Sequence, residues 1–320
     1  MNLIALIIGL LIERLVTHLL HLREPRWMDA YFDWGLARTS GMRVWLEFLS
    51  VVGLILIPVL PVLLVAIAFR DALYGAPYLL FAILLLILSL GPRDLQEEVK
   101  SFCDARRKGD EGETSRSAKE LTESDFPRDP GEREFVVEEA ILFQAVNRVF
   151  AVVFWFMILG PIGVWGFGVS DLFILGPVGA WMFRVADLFR RRRSFEVARL
   201  RENPDQPVYT GAAICWIHGL LIWIPARLLA IGYAIAGSFD GAVSAWRDFA
   251  KANRGKMRYY VKTKELLAVV GQGALEEVRG DLDDEDPQVC SARAAIRLVQ
   301  RALFVWVFAI AVFTLLGWAV

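Results

Sequence analysis

Residues 302–320, ALFVWVFAIAVFTLLGWAV, contain no charged side chain. The hydrocarbon core of a bilayer takes roughly 20 mostly apolar residues in a helix. Backbone polar groups placed there need internal partners, which leaves helices and closed barrels as the spanning structures. Six further stretches approach the same character: 1–20, 44–69, 72–90, 149–168, 171–189 and 209–236. Hydrophobic residues make up 56% of the 320, above the roughly 45–50% of soluble domains. The chain reads as all-α, a polytopic membrane helix bundle, and the disordered, collagen-like and disulfide-scaffold classes are excluded. A single integral membrane domain over 1–320 is expected, with 91–148 and 237–301 as polar helical loop regions.

Charge gives the expected orientation. The first 20 residues have no basic leader and no small-residue cleavage site, so a removable signal peptide is not expected. Arg23, Arg26, Arg38 and Arg43 follow them, which favours an outside N-terminus and a cytoplasmic 21–43 loop. Segments 44–69 and 72–90 then form a hairpin that returns the chain to the cytoplasm for 91–148. Arg190–Arg193 mark the cytoplasmic side, with a phosphate-binding patch as the rival reading. Segment 209–236 carries His218, Pro225 and Arg227 near its middle, so it either crosses once or re-enters. The basic content of 237–301 favours a re-entrant element and a cytoplasmic loop.

Prolines and glycines inside these segments constrain packing. Pro58 and Pro61 sit within one segment, where neighbouring helices must satisfy the freed carbonyls. A tandem echo, LGPIGVWGFG at 159–168 and LGPVGAWMFR at 175–184, predicts two broken helices facing a polar cavity. Its rival is close packing through small residues.

In the first polar region, Leu95, Val99, Phe102 and Arg106 are spaced for an amphipathic helix ended by Gly109. The stretch after it mixes turn formers with charges and reads as loop or short helix. EREFVVEEAILFQAVNRVF then resumes a helical pattern, as AVSAWRDFAKA does in the second region. KMRYYVK interleaves basic and aromatic residues, which suits an anionic lipid interface. With a net charge of −1 there is no basic field that calls for nucleic acid. GDLDDEDP reads as a solvated acidic turn. No Walker A sequence and no nucleophile elbow is present, and GQG at 271–273 lacks the rest of a dinucleotide fingerprint. Cys103, Cys215 and Cys290 lie too far apart for ligand spacing. His18 and His21 read as interfacial side chains, so neither a metal site nor a catalytic residue is assigned.

Charges in or beside the apolar segments carry more information. Glu13, Arg14, Glu47, Arg184, Asp187 and Arg227 would each cost about 2.5–3.5 kcal/mol at a helix centre if unpaired. Glu138, Glu139, Asn147 and Arg148 lie just outside one segment. Arg184 and Asp187 are three apart and can pair within their helix. Arg227, two residues after Pro225, offers a fork suited to carboxylate or phosphate.

Several segments together resemble the AmpE family of bacterial inner-membrane proteins, related to the CobD/CbiB enzymes of cobalamin synthesis. The resemblance is carried by SLGPRDLQEEVKSFCDARRKGD at 89–110 and VEEAILFQAVNRVFAVVFWFMILGPIG at 137–163. LGPVGAWMFRVADL at 175–188 and WIPARLLAIGYAIAGSFDGAVSAWR at 223–247 extend it. It implies a multi-pass membrane protein of the inner membrane, a signalling modulator linked to β-lactamase induction. By analogy with the enzymes, Glu139, Asn147 and Arg148 match their Glu and Asn before a membrane segment. Arg184 matches their Tyr-Arg, and Arg227 their Pro-x-Arg. The expected ligand-binding set is therefore Glu139, Asn147, Arg148, Arg184 and Arg227. Motifs that hold nucleotide and substrate in the enzymes are missing, as in LTESDFPRDP and KMRYYVKTKE. A sensor for an anionic small molecule, a nucleotide or a muropeptide, is the leading expectation, with the bilayer and a homodimer as further partners. An amide-forming enzyme using Mg-ATP and a transporter are the alternatives.

Overall fold

The computed structural model describes residues 28–39, 42–70, 76–90, 95–122, 130–166, 175–202, 212–253, 259–279 and 286–315. Residues 1–27, with Glu13, Arg14, His18 and His21, lie outside them, as do both hairpin turns, 256–258 of KMRYYVK and 280–285 of GDLDDEDP. The elements are α1 (Asp29–Thr39), α2 (Val44–Arg70), α3 (Ala76–Ser89), α4 (Leu95–Arg107), α5 (Glu111–Thr122) and α6 (Pro130–Ala145). A π turn (Val146–Phe150) leads into α7 (Ala151–Gly166), followed by α8 (Leu175–Glu202) and α9 (Ala212–Ala236). The last are α10 (Phe239–Ala252), α11 (Tyr259–Arg279) and α12 (Pro287–Leu315).

Among the described residues, four stretches are long and apolar enough to cross a membrane: Trp45–Phe69, Phe135–Gly160, Ala213–Ala236 and Pro287–Phe313. The chain is thus a multi-pass, all-α membrane protein. α3 is apolar but shorter. Of the expected crossing at 171–189, residues 175–189 form the first half of α8, whose run of arginines keeps that helix out of this set. α9 is continuous through Pro225, so the described part of 209–236 is not broken, and it has the length of a single crossing.

The described residues group into two compact units. One draws on Met1–Pro92, Ala151–His218 and Ile310–Val320, the other on Arg93–Phe150 and Gly219–Ala309.

In the first unit, α1 packs on α2, and both pack on α8. Pro58 has no N–H to donate to Leu54 one turn earlier. The Tyr31 hydroxyl takes that place, donating to the Leu54 carbonyl at 2.6 Å. The Trp181 indole donates to the Pro58 carbonyl at 3.1 Å and ties α8 to the same stretch of α2. Phe32 stacks on Phe189, and Arg192 grips Asp33 through two hydrogen bonds of 2.7 and 2.9 Å. Glu47, buried in α2, accepts the Ala213 N–H at 3.2 Å and so caps the first turn of α9.

The two Gly-Pro motifs do not break their helices. α7 runs on through 160–161 to Gly166, and Pro177 lies in the first turn of α8, where a missing N–H has no helical partner to lose. Close packing is what the glycines serve. A Cβ on Gly179 would come within 2.6 Å of Leu159 and 2.8 Å of the Trp155 carbonyl, so α7 and α8 touch backbone to backbone there.

In the second unit, α4 is the amphipathic helix expected from Leu95, Val99 and Phe102, all of them buried. Gly109 ends it at φ 71°, with the Gly109 and Asp110 amides returning to Arg106 and Ala105. Asp110 then caps α5 by accepting the Glu113 N–H at 3.0 Å. α10 is capped by Ser238 and lies against α11, where Gly241 faces Gly273. Gly271 of α11 lets Leu142 of α6 approach, and the Trp306 indole of α12 lies over Gly232 and donates to the Leu228 carbonyl.

Candidate functional site

The densest buried polar group of the second unit lies along α6 and the π turn. Glu138 is buried and accepts from the Ser291 hydroxyl of α12. One residue on, Glu139 faces the Lys264 ammonium of α11 at 3.4 Å. Gln144 donates to the Leu121 carbonyl at the end of α5, where the last helical carbonyls lack intrahelical donors. Arg148 lies between Gln144, 3.2 Å away, and Glu98 of α4, 2.8 Å away, with side chains 3% and 10% exposed. Arg148 and Glu98 form a buried ion pair, and the Arg148 guanidinium also donates to the Gln144 side-chain oxygen.

Asn147 differs from its neighbours. It is fully buried, and neither its amide oxygen nor its amide nitrogen has a hydrogen-bond partner. The π turn that carries it shifts bonding from i−4 to i−5, a local dislocation common at functional sites. The buried Tyr233 hydroxyl donates to the Leu142 carbonyl at 2.9 Å, just where the register changes. Leaving a buried amide unmatched costs about 1–3 kcal/mol, so the position is strained in polar terms rather than at rest.

Arg184 belongs to the first unit. Its guanidinium donates to Asp187 at 3.1 Å, the i, i+3 pair expected from spacing. Asp187, wholly buried, also accepts two bonds from Arg190, at 3.2 and 2.8 Å, and faces Arg191 at 3.5 Å. His218 of α9 lies 3.6 Å from the same carboxylate and against the Phe183 ring. Arg227 is in the second unit, half-buried on the side of α9 that exposes Leu220, Ile224, Ile231 and Ile235. Its guanidinium lies 4.1 Å over the Trp223 ring and donates to the Trp223 carbonyl at 2.9 Å. Among the expected site residues, Glu139, Asn147 and Arg148 share one helical run, but their described partners differ. Among the described residues no cluster of His, Cys, Asp or Glu could hold a metal ion.

Comparison with known proteins bears on what such an arrangement belongs to. The sequence matches the family described as "Regulatory signalling modulator protein AmpE" over residues 1–320. The chain belongs to the AmpE family. The Protein AmpE of Shigella flexneri is similar to it, 23% identical over 327 residues that cover 99% of each chain. No solved structure gives a significant match. As an AmpE-family member the chain is a membrane protein of the regulatory signalling type. For this AmpE-family chain, Glu98, Gln144, Lys264 and Ser291 were not among the residues singled out from sequence. Glu98 meets Arg148 50 residues away, and Lys264 and Ser291 meet Glu139 and Glu138 from other helices, pairings that no local spacing reveals; Gln144 is four residues from Arg148, a helical spacing that the sequence does carry.

Proposed function

We propose that this chain is an inner-membrane sensor of the AmpE type, linked to cell-wall stress signalling and β-lactamase induction. In this reading its ligand is bound at the α6 and π-turn tract, with Asn147 making the first contact and Glu139 and Arg148 beside it. The observation that carries it is the buried, unmatched Asn147 amide, which offers one acceptor and two donors. The described acids of the tract, Glu98, Glu138 and Glu139, outnumber the described bases, Arg148 and Lys264. That balance favours a ligand bringing amide and hydroxyl groups, as a muropeptide does, over a nucleotide triphosphate. A π turn can relax to α-helical register, so a ligand that prefers one register would turn the following helix and pass a signal on.

Asn147→Leu tests the reading with two readouts. Replacing an unmatched buried amide by an apolar side chain of similar size should raise stability by about 1 kcal/mol or more. The same change should abolish stabilisation by muropeptide, about 2.7 kcal/mol at 100 times the dissociation constant. A variant that is less stable and still responds to muropeptide, or a parent that responds to Mg-ATP alone, would overturn it.

A further inference from the structure

We propose that the corner between α1 and the first turns of α2 is a docking site for the headgroups of anionic phospholipids. Trp34 and Trp45 are 57% and 58% exposed there, and Arg38, one helical turn after Trp34, and Arg43, just before Trp45 in sequence, are exposed as well. The Met42 amide donates to the Thr39 carbonyl, which brings the end of α1 to the start of α2. Trp34 stacks on Tyr31, whose hydroxyl is bound to the Leu54 carbonyl, so α1 lies along α2 as a fixed flank.

Depth places this corner at the lipid headgroups. Trp45–Phe69 is 25 residues long, which at about 1.5 Å per residue is roughly 37 Å of helix. The hydrocarbon core is about 30 Å thick, so the ends of this helix extend into the headgroup layer. Below the corner the exposed face of α2 is apolar through Leu49, Leu56, Ile57, Leu60 and Leu64, continuous with a lipid-facing surface. Exposed tryptophans at such a boundary are the usual interfacial anchors.

Charge decides which headgroup. Nearby described carboxylates are already engaged: Asp33 and Asp29 face Arg192, and Glu47 caps α9. Arg38 and Arg43 therefore give the exposed side of the corner a positive character. Arginine's planar fork pairs with phosphate oxygens, and each basic side chain near an anionic surface adds to binding.

The test uses the whole chain in neutral detergent, titrated with phosphatidylglycerol or with phosphatidylcholine of the same acyl chains. Native mass spectrometry reads bound lipid on folded protein, and a thermal melt reads stability. The parent should bind phosphatidylglycerol saturably and in preference to phosphatidylcholine. Arg38→Gln combined with Arg43→Gln should weaken phosphatidylglycerol about 30-fold, with the lipid-free melt unchanged because both side chains are exposed. Should the double variant fold less well, the affinity is read on its folded fraction alone. Equal affinity for the two lipids in the parent, or unchanged phosphatidylglycerol affinity in the double variant, would refute the site.

Discussion

The Tyr31–Leu54 bond allows a direct test of how an apolar helix tolerates Pro58. Tyr31→Phe removes the hydroxyl that bonds the Leu54 carbonyl at 2.6 Å and leaves that oxygen without its replacement donor. Leu54 is 7% exposed, so water compensates poorly, and the expected loss is about 1–3 kcal/mol. Pro58→Ala restores an amide one turn after Leu54, which can bond the carbonyl as in any helix. In that background Tyr31→Phe should cost less than about 0.5 kcal/mol. The difference between the two losses, about 1–2 kcal/mol, is the coupling energy of a double-mutant cycle. It would be read by unfolding the four proteins in mixed detergent. Each kcal/mol corresponds to roughly 2–4 °C in melting temperature for a unit of this size. Equal losses from Tyr31→Phe in both backgrounds would refute the reasoning, because the hydroxyl would then be stabilising something other than the proline's vacant carbonyl.

Two further outcomes follow from the first unit. Asp187→Asn removes the carboxylate shared by Arg184, Arg190 and Arg191, whose side chains are 1%, 3% and 13% exposed. The expected destabilisation is about 3–5 kcal/mol, and a loss under about 1 kcal/mol in a denaturant titration would show that the cluster holds without it. Gly179→Ala forces a methyl against the Trp155 carbonyl at 2.8 Å, which cannot move without separating α7 from α8. A loss of about 1–3 kcal/mol is expected, and an unchanged melt would mean that the helices do not pack there.

Much of the candidate site was readable as residue type but not as arrangement. Asn147, Arg148 and Glu139 stood out as polar groups beside an apolar run, because such groups are costly near a membrane wherever they sit. That Asn147 is buried and unmatched depends on the π turn, and one inserted residue of helical register leaves no mark in VNRVF. Arg227 drew attention through Pro225 and its chemistry. The helix nevertheless continues through the proline, and the guanidinium settles on Trp223 one turn back.

Local physics in the chain itself determined that this is a helical membrane protein. Long uncharged runs have few ways to bury their backbone, the α4 stripe ends at a glycine with positive φ, and Arg184 pairs with Asp187 at helical spacing. The tertiary structure alone decided which oxygen answers Pro58, what Glu47 is for, why the Gly-Pro segments pack closely, and who meets Arg148. Each of those turns on a contact between two different helices. Its energy depends on distance and on exclusion of water, and neither is encoded at the position of either partner alone.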